Sequence, residues 1–192
     1  MIFAKEPVMG AVKQRLADDI GQVRAIQFYR QNLRDILRTL ARDPRWQTWL
    51  AVSPDNAKLW PGIPRNVNVV AQGHGDLGER MDRVIHSLPV GPAVIIGADI
   101  PTVRPRHINR VFTLLNQEDV VIGPAGDGGY WVIGMRRRPI PRGAFKNVDW
   151  SSGTEMFQTL GNLNRWNSVW AQELYDIDNG EDWHQWRRSK RQ

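Results

Sequence analysis

The sequence predicts an α/β fold with a mainly parallel central sheet flanked by helices. Apolar runs of strand length alternate with amphipathic stretches of helical period, the pattern of a layered α/β protein. Pro92-Ala93-Val94-Ile95-Ile96-Gly97 is apolar nearly throughout, as a strand covered on both faces must be.

The elements follow in order. Met1-Ile2-Phe3-Ala4 has strand character and leads into a loop, Lys5 to Val12, punctuated by Pro7 and Gly10. With only four residues, this strand is shorter than the usual five or six. Either the chain continues upstream, or the sheet begins with a stub. Ile26, Leu33, Ile36, Leu37 and Leu40 form one stripe of a helix over about Val23 to Arg42. Trp46 to Val52 and Val67 to Ala71 read as strands, with a turn at Ser53-Pro54-Asp55-Asn56. Gln72 to Gly78 is a glycine-rich loop before a helix from about Glu79 to Ser87. The buried strand after it stops at Asp99, and Pro101 prevents its continuation. A helix over Pro105 to Asn116 precedes strand Val120-Val121-Ile122, the loop Gly123 to Gly129 and strand Tyr130 to Met135. A helix near Thr154 to Leu160, a strand ending at Tyr175-Asp176-Ile177-Asp178 and a helix from about Gly180 complete the chain.

With 192 residues and no internal repeat or linker, the expectation is one domain over 1–192, with a basic tail at about 187–192. A hydrophobic fraction of 41% and a charged fraction of 24% are ordinary for a globular protein. No apolar run reaches membrane-span length, and no secretory signal is legible, so a cytoplasmic location is expected. The absence of cysteine excludes disulfides and thiolate metal sites. A net charge of +6 favours anionic ligands. Arg136-Arg137-Arg138 and the C-terminal basic residues belong to no nucleic-acid motif; a solvated loop and tail are expected, without specific nucleic-acid contact. Nine tryptophans are many for this length, and those outside the motifs are assigned to core packing or a partner surface. The four histidines show no metal-ligand spacing.

The chemistry is concentrated in the loops that follow strands. Asp99 stands where open α/β sheets bind ligands, at the carboxyl edge of a central strand. There it can hold a hard cation or cap the next helix. Asp176 and Asp178 are two apart in a strand-like segment, so both carboxylates share a face opposite Ile177. Lys5, Gly10, Lys13 and Arg15 give the first loop the charge and freedom to meet phosphate, although no Walker sequence is present. Gln72, Gly73, Asp76 and Arg80 lie in a second loop able to approach a base, sugar or phosphate. Asp127, with Gly128, Gly129 and Tyr130, is placed to accept from hydroxyls or act as a general base. Each loop has a plain structural alternative as a turn or an ordinary basic segment.

Together, KEPVMGAVKQRL, QGHGDLGERM, GADIP, GPAGDGGYWVIG and DIDNGED resemble, in order and over nearly the whole chain, the DUF2064 family of small bacterial GT-A-like proteins, a nucleotide-diphospho-sugar transferase-like group. The chain is more distantly similar to guanylyltransferases that activate phospholactate-type acceptors. The resemblance implies a Rossmann-like GT-A sheet, a bound nucleotide and Mg²⁺ or Mn²⁺. It assigns Asp99, Asp176 and Asp178 to the metal, Lys5, Lys13 and Arg15 to phosphate, and Asp127, Gly128 and Gly129 to the acceptor or sugar pocket. Gln14 stands where the family commonly has threonine. The implied reaction is transfer of a sugar from a nucleotide diphosphate donor to a small acceptor. Nucleotidyl transfer to a phosphorylated acceptor and nucleotide binding without turnover are the alternatives. No oligomeric state follows from the sequence.

Overall fold

In a computed structural model, described over residues 1–190, six helices flank one seven-stranded sheet. They are β1 (Ile2–Lys5), α1 (Gln14–Ile20), α2 (Gln22–Ala41), β2 (Trp49–Ser53), β3 (Asn68–Ala71), α3 (Leu77–Ser87), β4 (Ala93–Gly97), α4 (Pro105–Leu114), β5 (Val120–Pro124), β6 (Tyr130–Met135), α5 (Glu155–Asn162), β7 (Ser168–Trp170) and α6 (Gly180–Ser189). The strand order is β3-β2-β1-β4-β6-β5-β7. All neighbours pair in parallel except β6, which runs antiparallel to both β4 and β5. The sheet is therefore mixed and mostly parallel.

Period-two alternation divides the core between the two faces of this sheet. Ile2, Leu50, Val52, Val94, Ile96 and Val132 pack on one face with Leu33, Leu37 and Leu40 of α2 and Val111 of α4. Phe3, Ala51, Ile95, Val120 and Ile133 pack on the other with Met81, Val84 and Ile85 of α3. Burial on both faces explains why the central strands read as continuous apolar runs. A smaller cluster of Leu16, Ala25, Phe28 and Ile177, flanked by Trp183 and Trp186, fastens α1, α2 and α6 together.

The four residues of β1 are enough because both edges are used. Ile2–Lys5 pair along Leu50–Ser53, while Ile2 and Phe3 also pair with Ile96 and Gly97. Three expectations change. Asp176 and Asp178 do not end a strand: β7 covers only Ser168–Trp170, and the chain continues outside the sheet. Residues 187–189 are solvated as expected but form the last turn of α6 rather than a loose tail, and Arg187 and Arg188 complement the helix dipole; residues 191–192 lie outside the described part. Finally, Arg137 is buried and donates to the Leu88 and Pro89 carbonyls, so the triple-arginine segment is not simply a solvated loop. No helix among the described residues is long and apolar enough to cross a membrane.

Candidate active site

From β1 the chain builds outward through β2 to β3, then returns to add β4 on the other side of β1. This reversal opens a crevice beyond the carboxyl ends of β1 and β4, where an open α/β sheet leaves room for a ligand. A cleft of about 1000 Å³ lies there, lined by Lys5 and Lys13 after β1, Asp99 after β4, and Asp127, Asp176 and Asp178 from later segments.

The first loop is shaped by its backbone. Lys13 adopts the left-handed conformation, with φ 52° and ψ 47°, immediately before α1. Its side chain turns inward and is only 5% exposed. The ammonium lies 2.5 Å from Asp178 Oδ1 and 3.1 Å from Asp99 Oδ2. Burial alone would lower the Lys13 pKa, but Asp99 and Asp178 outweigh it and hold the group above its ordinary value. Arg15 and Gln14 line the same wall. At Lys5, both main-chain polar groups engage the Tyr29 hydroxyl, which accepts from the Lys5 N–H and donates to the Lys5 carbonyl, each at 3.0 Å. Burial, reinforced by the Asp99 charge, raises the Tyr29 pKa and keeps the phenol protonated to make this contact.

Asp99 is held through its neighbours. The buried Asn32 amide donates to the Ala98 carbonyl at 2.7 Å, and the Ile177 N–H donates to the Asp99 carbonyl at 3.3 Å. That second bond brings the 176–178 segment alongside the end of β4. Ile177 points into the core while Asp176 and Asp178 line the cleft. The expected alternation is present without the expected strand.

Asp127, Asp176 and Asp178 each offer a carboxylate oxygen within 4.8 Å of the others. The grouping joins Asp127 to the Asp176/Asp178 pair, while Asp99, the third expected ligand, shares Lys13 with Asp178. Burial, then repulsion from Asp178 and Asp127, pushes the Asp176 pKa up to about 6, with Lys13 opposing the shift. Three oxygen donors at the mouth of a cleft suit a hard divalent cation that retains some of its waters.

The glycine-rich loops divide between site and scaffold. Gly129 and Tyr130 line the cleft; Gly128 lies behind it at φ +86°, with its α-carbon turned against the Gly153 carbonyl. Gly10 and Gly73 do not line the cleft. Asp76 lines it but is committed to the helix N-cap of α3, where its side chain accepts from the Glu79 N–H at 2.8 Å. The Gln72 amide nitrogen, buried, donates to the Ala4 and Ala51 carbonyls of β1 and β2, while its oxygen accepts from Arg80. Gln72 therefore braces two strands and orients Arg80 at the cleft wall. Tyr29, Asn32, Trp150 and Glu155 were not legible as functional residues. Tyr29 and Asn32 merge into a helix stripe, and Glu155 gives the ordinary signal of an acidic first helical turn.

Residues 36–152 match the family described as "Uncharacterized protein conserved in bacteria (DUF2064)". No curated protein matches the chain significantly in sequence. Among solved structures, the fold is similar to a protein from Desulfovibrio desulfuricans G20 described as a "putative nucleotide-diphospho-sugar transferase". The TM-score is 0.92 at 27% identity, over 98% of this chain and 85% of that one. It is also similar to a CMP:2-keto-3-deoxy-manno-octonic acid synthetase complexed with CTP, with a TM-score of 0.58 at 10% identity over 99% and 96% of the two chains. A manganese complex of Rv0371c from Mycobacterium tuberculosis H37Rv matches with a TM-score of 0.50 at 16% identity, over 98% and 97%. The two more distant similarities establish a shared fold.

Proposed function

From the premise that this chain belongs to the DUF2064 family, we propose that it is a divalent-metal-dependent transferase that moves a sugar from a nucleotide diphosphate donor to a small acceptor. The observation that carries this reading is the meeting, in one cleft, of a basic first loop with the Asp127, Asp176 and Asp178 cluster. The description of the Desulfovibrio protein supports the same direction.

Asp176 and Asp178 would hold Mg²⁺ or Mn²⁺, with Asp127 beside them as the nearby base. When bound, the metal supplies charge neutralisation for the diphosphate leaving group. Lys5, Lys13 and Arg15 bind the phosphate oxygens, with Lys13 exchanging its carboxylate partners for phosphate. Arg80, set by Gln72, faces the same region. Asp99 orients Lys13 before the donor arrives. The acceptor hydroxyl attacks the anomeric carbon, the bond from that carbon to the diphosphate oxygen breaks, and the nucleoside diphosphate departs. Asp127, at the cleft and outside the sheet, is the group placed to take the acceptor proton.

Nucleotidyl transfer is the second reading, favoured by the three cations of the first loop and by the CTP-bound synthetase of the same fold. Incubation with nucleotide sugars and nucleoside triphosphates, Mn²⁺ and an acceptor panel separates the readings. Nucleoside diphosphate release supports the proposal, pyrophosphate release replaces it with the second reading, and absence of both leaves a binding protein. Asp99→Asn is expected to lose Mn²⁺-dependent nucleotide binding while circular dichroism shows an intact fold. Unchanged binding would remove Asp99 from the mechanism.

A further inference from the structure

Helix α2 carries a polar stripe as well as its buried one. Arg24, Gln31, Asp35, Arg38 and Arg42 follow one another at helical spacing along its exposed side. They line a groove of about 760 Å³ that shares no lining residue with the cleft described above. α6 contributes Trp183, Trp186, Arg187 and Lys190 to the same groove, and Arg104 joins it from the start of α4. Phe28, Ile36 and Val103, all buried, form its apolar floor.

Six cations thus meet one carboxylate. Arg24, Arg38, Arg42, Arg104, Arg187 and Lys190 are exposed, and none of them enters an ion pair among the described residues. Asp35 accepts from the Gln31 amide at 2.8 Å rather than from a guanidinium. Scattered surface arginines are ordinary. Gathered around a concave groove with apolar walls, however, like charges focus one field and repel one another until an anion enters.

We propose that this groove docks an extended acidic segment of a partner protein, with its carboxylates on the arginine rim and its apolar side chains against the Phe28, Ile36 and Val103 floor. Five of the six cations are arginines, whose planar forks match carboxylates in pairs of hydrogen bonds. At about 1.5 Å per residue, Arg24 and Arg42 stand roughly 27 Å apart along α2, beyond the span of one small anion. An extended chain covers that distance in about eight residues at about 3.3 Å each. Single-stranded nucleic acid would need open aromatic faces on which to stack its bases. Here the chain's own cations cover the two indoles: Arg187 lies 4.7 Å from the Trp183 ring centre and Lys190 4.1 Å from that of Trp186. Phe28 also packs edge-on against Trp186 at 5.2 Å. This docking does not rest on the transferase reading.

The test is fluorescence polarisation of labelled octaglutamate titrated with the full chain at about 50 mM salt, where screening is weak. Octaglutamate is expected to bind, and Arg24→Glu combined with Arg38→Glu should weaken it about tenfold. The neutral pair, Arg24→Gln with Arg38→Gln, is milder toward α2 and should weaken it about threefold, with circular dichroism melts unchanged. Arg65 and Lys146 are exposed and line neither the groove nor the cleft. Arg65→Glu with Lys146→Glu makes the same change in net charge as the first pair and should leave binding within about twofold. No binding, equal weakening by the two charge-reversed pairs, or displacement by pyrophosphate as readily as by unlabelled octaglutamate would each overturn the docking groove. An oligothymidylate of the same length that binds as tightly as the peptide would replace the acidic segment with a nucleic acid, and would equally refute the proposal.

Discussion

Replacing Lys13 by methionine probes the electrostatics of the cleft. The ammonium now bridges Asp99 and Asp178 at 3.1 and 2.5 Å, almost out of contact with solvent, while the two carboxylates are 41% and 38% exposed. Removing one partner of a fully buried pair costs about 3–5 kcal/mol. Solvent reaches both acids here, so screening reduces the expected loss to about 2 kcal/mol. For a chain of this length that corresponds to a fall in melting temperature of about 4–8 °C. The variant should also bind Mn²⁺ more tightly. A divalent cation about 4 Å from the ammonium would be repelled by about 2 kcal/mol at a dielectric near that of water, so its removal strengthens binding by roughly 25-fold. Electron paramagnetic resonance of free Mn²⁺ measures the affinity, and thermal melts with and without Mn²⁺ measure the rescue. Mn²⁺ should restore much of the lost stability in the variant and stabilise the parent less. A variant as stable as the parent, or equal Mn²⁺ affinity in both, would refute the idea that Lys13 stands in for the metal.

Asp176 predicts a pH dependence. Because its folded pKa is raised from the ordinary carboxylate value to about 6, it favours the folded state at low pH, and this contribution is lost as pH rises through about 6. Asp176→Asn should therefore flatten the fall in stability of the metal-free protein between about pH 4 and pH 6, as followed by denaturant melts. In the parent, Mn²⁺ affinity should drop about tenfold per unit below pH 6, since the cation must displace a proton; a pH-independent affinity would remove Asp176 from the ligand set. Gly128→Ala should cost more than about 2 kcal/mol, because it strains a positive φ and drives a methyl into the Gly153 carbonyl. Gln72→Leu should cost about 2 kcal/mol in urea melts, and should weaken nucleotide binding further because Arg80 loses the oxygen that positions it.

The sheet was legible because its central strands are buried on both faces, which leaves unbroken apolar runs such as Val94-Ile95-Ile96. The cleft lining was legible at the ends of strands, as at Lys5 and Asp99. Asp176 and Asp178 were read onto one face for a sound reason, alternation about buried Ile177, but the hydrogen bond to Asp99 that orders this segment comes from across the chain and leaves no local pattern. The preference of Asp99 for Lys13 was hidden for the same reason: a left-handed lysine is decided by what its ammonium finds, not by its neighbours in sequence. Asp76 and Gln72 line the cleft as their motif suggested, but their helix cap and strand-carbonyl contacts were not readable from it.

The antiparallel β6 has a consequence for how such a protein can diversify. Because β5 turns directly into β6, the Asp127 loop and Tyr130 are delivered to the cleft by a hairpin, with no intervening crossover helix. The segment facing them around Gly153 belongs to the connection from β6 to α5, which pairs with no strand. Substitutions in that short stretch reshape the far end of the cleft while leaving β1, β4 and their charged loops untouched. One scaffold can thus vary the far end of its cleft without any change in the sheet.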